Sequence, residues 1–157
     1  MKHIFWLVPD SLAGRPGPNR QPWKLAELRA AGFQAVLSVN DGELCHADEF
    51  ESVGLDYKCV SLSENAPPQP GDVEHCLVAL PLAFSHIQQH IAAGRKVLIH
   101  CSSGKDRTAL LMAYYLMRTE GVSAKESIAR VKLVRPIAFS AYGWDEFAVQ
   151  VLTESDA

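Results

Sequence analysis

The chain has 157 residues, 48% hydrophobic and 21% charged. That is the size of one ordinary domain, able to bury roughly 70% of the surface its unfolded form exposes without a disulfide or metal staple. A formal charge of −3 argues against nucleic acid or an anionic membrane as the main partner, because such partners favour a basic excess.

The first apolar run, Ile4 to Val8, is cut by Pro9 and Asp10 far short of a signal-peptide core or the about 20 residues of a membrane span, and reads as a strand. A proline cluster from Pro9 to Pro22 follows. Trp23 to Ala31 has helical spacing and stops at Gly32; Ala35 to Val39 reads as a strand; Asp48 to Val53 is a short helix closed by Gly54. Glycine just past a helix end is a usual stop because it tolerates positive φ. Tyr57 to Leu62 is the third strand, followed by a second proline cluster, Pro67 to Pro70. A long helix over Asp72 to Ala93 ends at Gly94, and Pro81 is expected to break or kink it. Val97 to His100 is a fourth strand. Helices are then expected over Asp106 to Thr119, over Ser123 to Leu133 with the capping box Ser123-x-x-Glu126, and over Trp144 to Thr153. The segment Ala109 to Met117 is apolar nearly all round, so its helix is expected to be buried, and Leu110, Leu111, Tyr114, Tyr115 and Met117 read as core.

Strands alternating with helices imply an α/β fold in which a central, mostly parallel sheet is flanked by helices. No repeat, low-complexity tract or linker divides the chain, so residues 1–157 are expected to form a single domain and a monomer. Both proline clusters follow a strand. They are either ligand loops at the carboxyl edge of the sheet or stiff connections. The cysteines Cys45, Cys59, Cys76 and Cys101 form no C-x-x-C pair, which fits a reducing cytoplasm better than a disulfide framework.

The stretch Lys96-Val-Leu-Ile-His-Cys-Ser-Ser-Gly-Lys-Asp-Arg-Thr108 runs from a buried strand through a short loop into the buried helix. Such a loop exposes unpaired backbone N–H groups at the positive end of a helix dipole, which makes an anion site. Gly104 lets the loop curl into a nest, and Arg107 supplies a planar fork of donors that fits two oxygens of a tetrahedral oxyanion. Helix N-termini and nearby cations favour the thiolate form of a cysteine, so Cys101 is expected to be a nucleophile aimed at the bound anion. Phosphoryl transfer suits such a site, because binding charge on the phosphoryl oxygens is most of the catalytic task. A Walker-type reading of Gly104-Lys105 fails: Asp106 stands where Ser or Thr should bind magnesium, and Ile99 stands at the first glycine.

The string His100-Cys101-x-x-Gly104-x-x-Arg107-Thr108 resembles the Cys-x5-Arg signature loop of the protein tyrosine phosphatase superfamily, and above all its small dual-specificity branch. Leu12-Ala13-Gly14, the proline-rich loop before the long helix, and Arg135-Pro136 extend the resemblance weakly over most of the chain. The low-molecular-weight phosphatases share this chemistry but carry the loop near the N-terminus. The resemblance implies a cysteine-dependent phosphomonoesterase with no metal or other cofactor. Cys101 would attack phosphorus, the backbone of Ser102, Ser103, Gly104, Lys105, Asp106 and Arg107 would bind the phosphoryl oxygens, Thr108 would assist thiolate departure, and His100 would orient the loop. It implies phosphorylated protein as substrate, with phospholipid as the alternative and a weak phosphate-binding module as the non-enzymatic one.

The family supplies a general acid from a loop about thirty residues before the cysteine. Asp72 lies 29 residues before Cys101 but also suits a helix N-cap. Glu64 lies 37 residues before it, just past an expected strand, and Asp106 inside the loop is a third candidate. Three departures stand out: Ala109 replaces a glycine, Trp144 lies near the place of a water-positioning glutamine, and Lys105-Asp106 is a variant associated with bacterial and phosphoinositide phosphatases. Lys105 either meets an extra phosphate or is solvated. Arg15 and Arg20 either flank the substrate or lie on the solvated surface. His86 and His90 share a helix face, yet the sequence shows no third metal ligand for them. Cys59 and Cys76 read as small apolar residues, or as partners of an oxidised Cys101.

Overall fold

The computed structural model describes residues 2–156. Its elements in order are β1 (Phe5–Val8), β2 (Leu12–Pro16), α1 (Leu25–Ala30), β3 (Phe33–Ser38), α2 (Ala47–Ser52), β4 (Asp56–Cys59), α3 (Asp72–Ala92), β5 (Lys96–Cys101), α4 (Arg107–Glu120), α5 (Ala124–Val134) and α6 (Trp144–Ser155), with a 3-10 turn at Gly42–Leu44. The strands form one sheet in the order β1-β2-β5-β3-β4. Only the β1–β2 pair is antiparallel; β2, β5, β3 and β4 run parallel. The expected α/β architecture is therefore the observed one.

Side chains of successive strand residues point to opposite faces, and this divides the core in two. Val97, Ile99 and Cys101 of β5 join the larger cluster under α3, α4, α5 and α6. Leu98 joins Ala13, Leu28, Phe33, Val36, Phe50 and Leu55 in the smaller cluster under α1 and α2. Helix α4 is buried from Arg107 through Met117, as its all-round apolar sequence implies, and it holds the end of β5 from one side. Gly121, with φ +68°, closes it.

Three expectations are corrected. Leu12–Pro16 is strand β2, not part of a proline-rich loop, and all five residues are buried between β1 and β5. Gly14 and Pro16 disguise it. The glycine is required there, since a Cβ would lie 2.7 Å from the Phe5 ring and 2.9 Å from the Met112 methyl. Helix α3 also runs unbroken through Pro81. Pro81 is exposed, so the carbonyl it leaves without an N–H partner is on the solvent side. The buried stripe Cys76, Ala79, Leu80, Ala83, Ile87 and His90 runs past it and holds the helix together. Strand β4 stops at Cys59 rather than Leu62, although Val60 and Leu62 still donate backbone hydrogen bonds to Ser38 and Val39.

The parallel strands bring the loops after β2, β3, β4 and β5 to one edge of the sheet. Pro16 lies opposite Cys101 and Ser38 opposite His100 in the ladder. No helix among the described residues is long and apolar enough to cross a membrane.

Candidate active site

Cys101 is the last residue of β5, and Arg107 is the first of α4. The five residues between them curl so that the Thr108 hydroxyl donates a hydrogen bond of 3.1 Å to the Cys101 thiol sulfur. Gly104 sits at φ +67°, and a Cβ there would lie 2.7 Å from the carbonyl carbon and oxygen of Arg15. Positive φ and close backbone contact with β2 together demand glycine.

The carbonyls of this loop are tied from outside. Gly17 N–H donates to Ser102 O at 2.9 Å, and Phe139 N–H donates to Lys105 O at 3.2 Å. Arg135 donates through Nη2 to Ser103 O at 2.7 Å and through Nε to Gly104 O at 3.1 Å. Planar peptide units that turn their carbonyls outward turn their N–H groups the other way, the arrangement that an anion nest requires. Arg135 was visible in the sequence only as half of an Arg-Pro pair; its reach across 31 and 32 residues is a tertiary fact.

His100 fixes the strand end. Burial pushes its pKa down to about 4, so the ring is neutral. Nδ1–H donates to Cys101 O at 3.1 Å, which leaves Nε2 to accept from the Ser38 hydroxyl. Ser38 in turn accepts from the Tyr57 hydroxyl at 2.6 Å. This chain links β4, β3 and β5 behind the cysteine, and Trp23 meets the His100 ring edge-on with centroids 4.9 Å apart. Ser38 and Tyr57 carry no local signal that would have marked them.

Arg107 is buried. Its Nε donates to Ser63 O at 2.7 Å, and its guanidinium lies over the Trp144 ring. The Trp144 indole N–H donates to Asn65 O at 2.9 Å. The chain at 63–65, just beyond β4, is thereby held against the loop, and the exposed Glu64 lies between the two anchored residues.

Asp72 is not the N-cap of α3; Gly71 holds that position and Asp72 is the first helical residue. Its carboxylate accepts from Gln69 N–H at 2.6 Å and from the Asn65 amide at 3.0 and 3.1 Å. Burial pushes its pKa up, but these hydrogen bonds, with one from Ser63, outweigh it and leave the carboxyl below its usual range. Asp106 is buried, pairs with the Lys105 ammonium at 3.1 Å and accepts from Ala141 N–H at 3.4 Å. Lys105 also donates to the Ser140 hydroxyl at 3.0 Å, so it is neither free nor simply solvated.

Arg15 and Arg20 part company. Arg15 is buried on β2, stacked over Trp23 and bonded to Gln21 O, so it does not lie on the solvated surface. Arg20 reaches the Ser102 hydroxyl at 3.4 Å. Cys76 is buried on α3, where burial pushes its thiol up to about 11, and Cys59 is exposed at the end of β4; all four cysteines are free.

Comparison with known proteins gives a consistent family. The model for the dual specificity phosphatase catalytic domain matches residues 19–145. Human dual specificity phosphatase 28 is 29% identical over 115 residues, which is 73% of this chain and 64% of that protein. The tyrosine-protein phosphatase CDC14 of Saccharomyces cerevisiae is 26% identical over 127 residues, 80% of this chain and 22% of that protein. The chain thus spans less than two thirds of either relative. Tk-PTP, solved as a crystal structure in the active form, superposes with a TM-score of 0.76 at 24% identity, over 99% of this chain and 97% of that one, and so shares the fold.

Proposed function

The chain belongs to the dual specificity phosphatase catalytic-domain family, and from that membership we propose that it hydrolyses phosphotyrosine, and phosphoserine or phosphothreonine, in proteins through a cysteinyl-phosphate. The observation that carries the proposal is the Cys101 sulfur at the N-terminus of α4, hydrogen-bonded by Thr108, beside a loop whose carbonyls face away. A dianionic phosphoryl group entering that loop meets backbone N–H groups, the helix dipole and Arg107, all of which favour the charge on its oxygens.

The Cys101 thiolate attacks phosphorus, forming the S–P bond as the P–O bond to the leaving group breaks. The leaving oxygen takes a proton from a general acid. Glu64 is assigned that role, because its neighbours Ser63 and Asn65 hold Arg107 and Trp144 while its own exposed carboxyl makes no hydrogen bond or ion pair among the described residues. Asp72 is engaged in holding the loop, and Asp106 is paired with Lys105. Water then attacks phosphorus, gives its proton back to the Glu64 carboxylate, and releases the thiolate, which the Thr108 hydroxyl stabilises. The proposal includes a reducing, cytoplasmic compartment, since a thiol nucleophile must stay reduced.

Hydrolysis of an aryl phosphate in the presence of chelator tests this. Activity lost in Cys101→Ser, blocked by vanadate, and accompanied in the parent by an acid-stable protein-bound phosphate in rapid-quench experiments is expected. Full activity in the Ser variant refutes the mechanism, and vanadate binding without turnover leaves a recognition module instead. A panel of phosphotyrosine peptides, phosphoserine peptides and phosphoinositides defines the substrate class.

A further inference from the structure

We infer that Asp56, His86 and His90 form a binding site for a divalent transition-metal cation, zinc being the ion their chemistry suits, at the end of the sheet away from Cys101. His86 and His90 are one turn apart on α3, with ring centroids 4.9 Å apart. The third group, missing from the sequence pattern, comes from the start of the edge strand β4: Asp56 Oδ2 lies 2.8 Å from His90 Nε2. One donor atom from each of the three residues lies within 4.8 Å of the others.

The second observation is His86 Nε2, which is buried and has no hydrogen-bond partner among the described residues. A buried ring nitrogen without a partner is costly, and a cation would use its lone pair. Two imidazoles and a carboxylate suit zinc, with a fourth position left for water. His86 also lines a cleft of about 480 Å³ together with Lys58 and Gln89, which offers entry and room for that water.

Some closure is required. Donor atoms around tetrahedral zinc lie about 3.3 Å apart, so the widest separation must shrink by roughly 1.5 Å. The Asp56 side chain is 57% exposed, and its carboxylate must turn from the His90 Nε2–H to the ion. His90 must carry its proton on Nδ1, which Arg95 now approaches at 3.5 Å; Arg95 is exposed beyond the helix end and swings aside. Lys58 opposes the incoming charge and Asp56 offsets it.

The site is remote from the phosphate loop. Asp56 begins β4 whereas Cys101 ends the parallel β5, and His90 lies 18 residues beyond Asp72 on α3, about 27 Å along the axis. A bound cation would pin α3 to the unprotected edge of the sheet, stabilising the fold without entering the catalytic loop.

The test is calorimetric titration of Zn²⁺ into the full chain carrying Cys101→Ser, which removes the catalytic thiolate as a competing ligand. One site per chain is expected, weakened roughly tenfold or more by His86→Ala and by Asp56→Asn. Zinc should raise the melting temperature of the parent and not of His86→Ala. His86 Nε2 has no hydrogen-bond partner among the described residues to lose, so this variant is expected to fold and to keep aryl phosphatase activity in the Cys101 background. Co²⁺ bound at the site should show no thiolate charge-transfer band. Absence of binding in the parent, equal affinity in both variants, or a thiolate band pointing to Cys59 overturns the inference.

Discussion

The Arg107 guanidinium lies over the indole of Trp144, with Cζ 4.7 Å from the ring centroid, and Trp144 itself is fully buried. The tryptophan therefore serves two ends at once. Its face steadies the arginine through a cation–π contact worth about 0.5–2 kcal/mol, and its N–H holds the carbonyl of Asn65 beside the candidate acid.

Trp144→Phe separates these two effects. The ring face is kept and the hydrogen bond to Asn65, worth about 0.5–1.5 kcal/mol, is lost. The expected result is a fall in kcat of several-fold for alkyl or other poor leaving groups, with vanadate affinity little changed. Equal losses for good and poor leaving groups would show that the indole N–H does not position the acid.

Glu64→Gln is expected to lower turnover of poor leaving groups by about 10²–10⁴ and to leave an activated aryl phosphate nearly unaffected. Asp72→Asn behaves differently. It weakens the bonds that hold 65–72 together, so it lowers stability by about 1–3 kcal/mol at neutral pH and affects all substrates alike. The depressed pKa of Asp72 means that its stabilising effect is present above the ordinary carboxylate range and disappears as pH falls through the folded-state value. Urea unfolding of parent and Asp72→Asn should therefore converge in acid. If Asp72→Asn instead shows the leaving-group dependence, the assignment moves to Asp72.

Gly104→Ala pits a Cβ against the backbone of Arg15 at 2.7 Å and demands a positive φ from alanine. Loss of vanadate binding by about two orders of magnitude or more, an effect of several kcal/mol, is expected alongside a smaller fall in melting temperature, because the strain is confined to the contact between the loop and the end of β2. Vanadate affinity within a few-fold of the parent would mean that the nest tolerates a different curl.

His100 makes stability depend on pH. The unfolded chain binds a proton there near pH 6.5, while burial lowers the folded-state value to about 4. Stability is fully present above the higher value and falls as pH drops through this window, by up to about 3 kcal/mol. Urea melts of His100→Asn should show lower stability at neutral pH and a shallower fall toward pH 4. The difference isolates His100 from His86, whose pKa is also lowered by burial. Parallel slopes would show that burial does not lower the pKa of His100 in the folded chain.

Much of the site was legible because its information is local. Strand, loop and helix from Val97 to Thr119 are contiguous, and residue types alone indicate a thiol, a glycine and an arginine at a helix N-terminus. The general acid was not legible. Asp72 and Glu64 are both carboxylates in one proline-rich segment, and spacing favours the former; only the hydrogen bonds to Asn65 and Gln69 show that Asp72 is already committed. Strand β2 was missed because Gly14 and Pro16 break the local pattern, while its place is set by pairing with β1 and β5.

The amino-acid sequence by itself determined the fold class and the phosphate loop, since hydrophobic periodicity and loop chemistry act between residues near in the chain. Only the tertiary structure decided that Arg135 ties the loop carbonyls, that Trp144 lies under Arg107, and that Asp56 meets His86 and His90. Each of these contacts joins residues at least 30 apart. Their meeting depends on how the sheet orders its strands and on which helix packs over which face, and no local pattern encodes that.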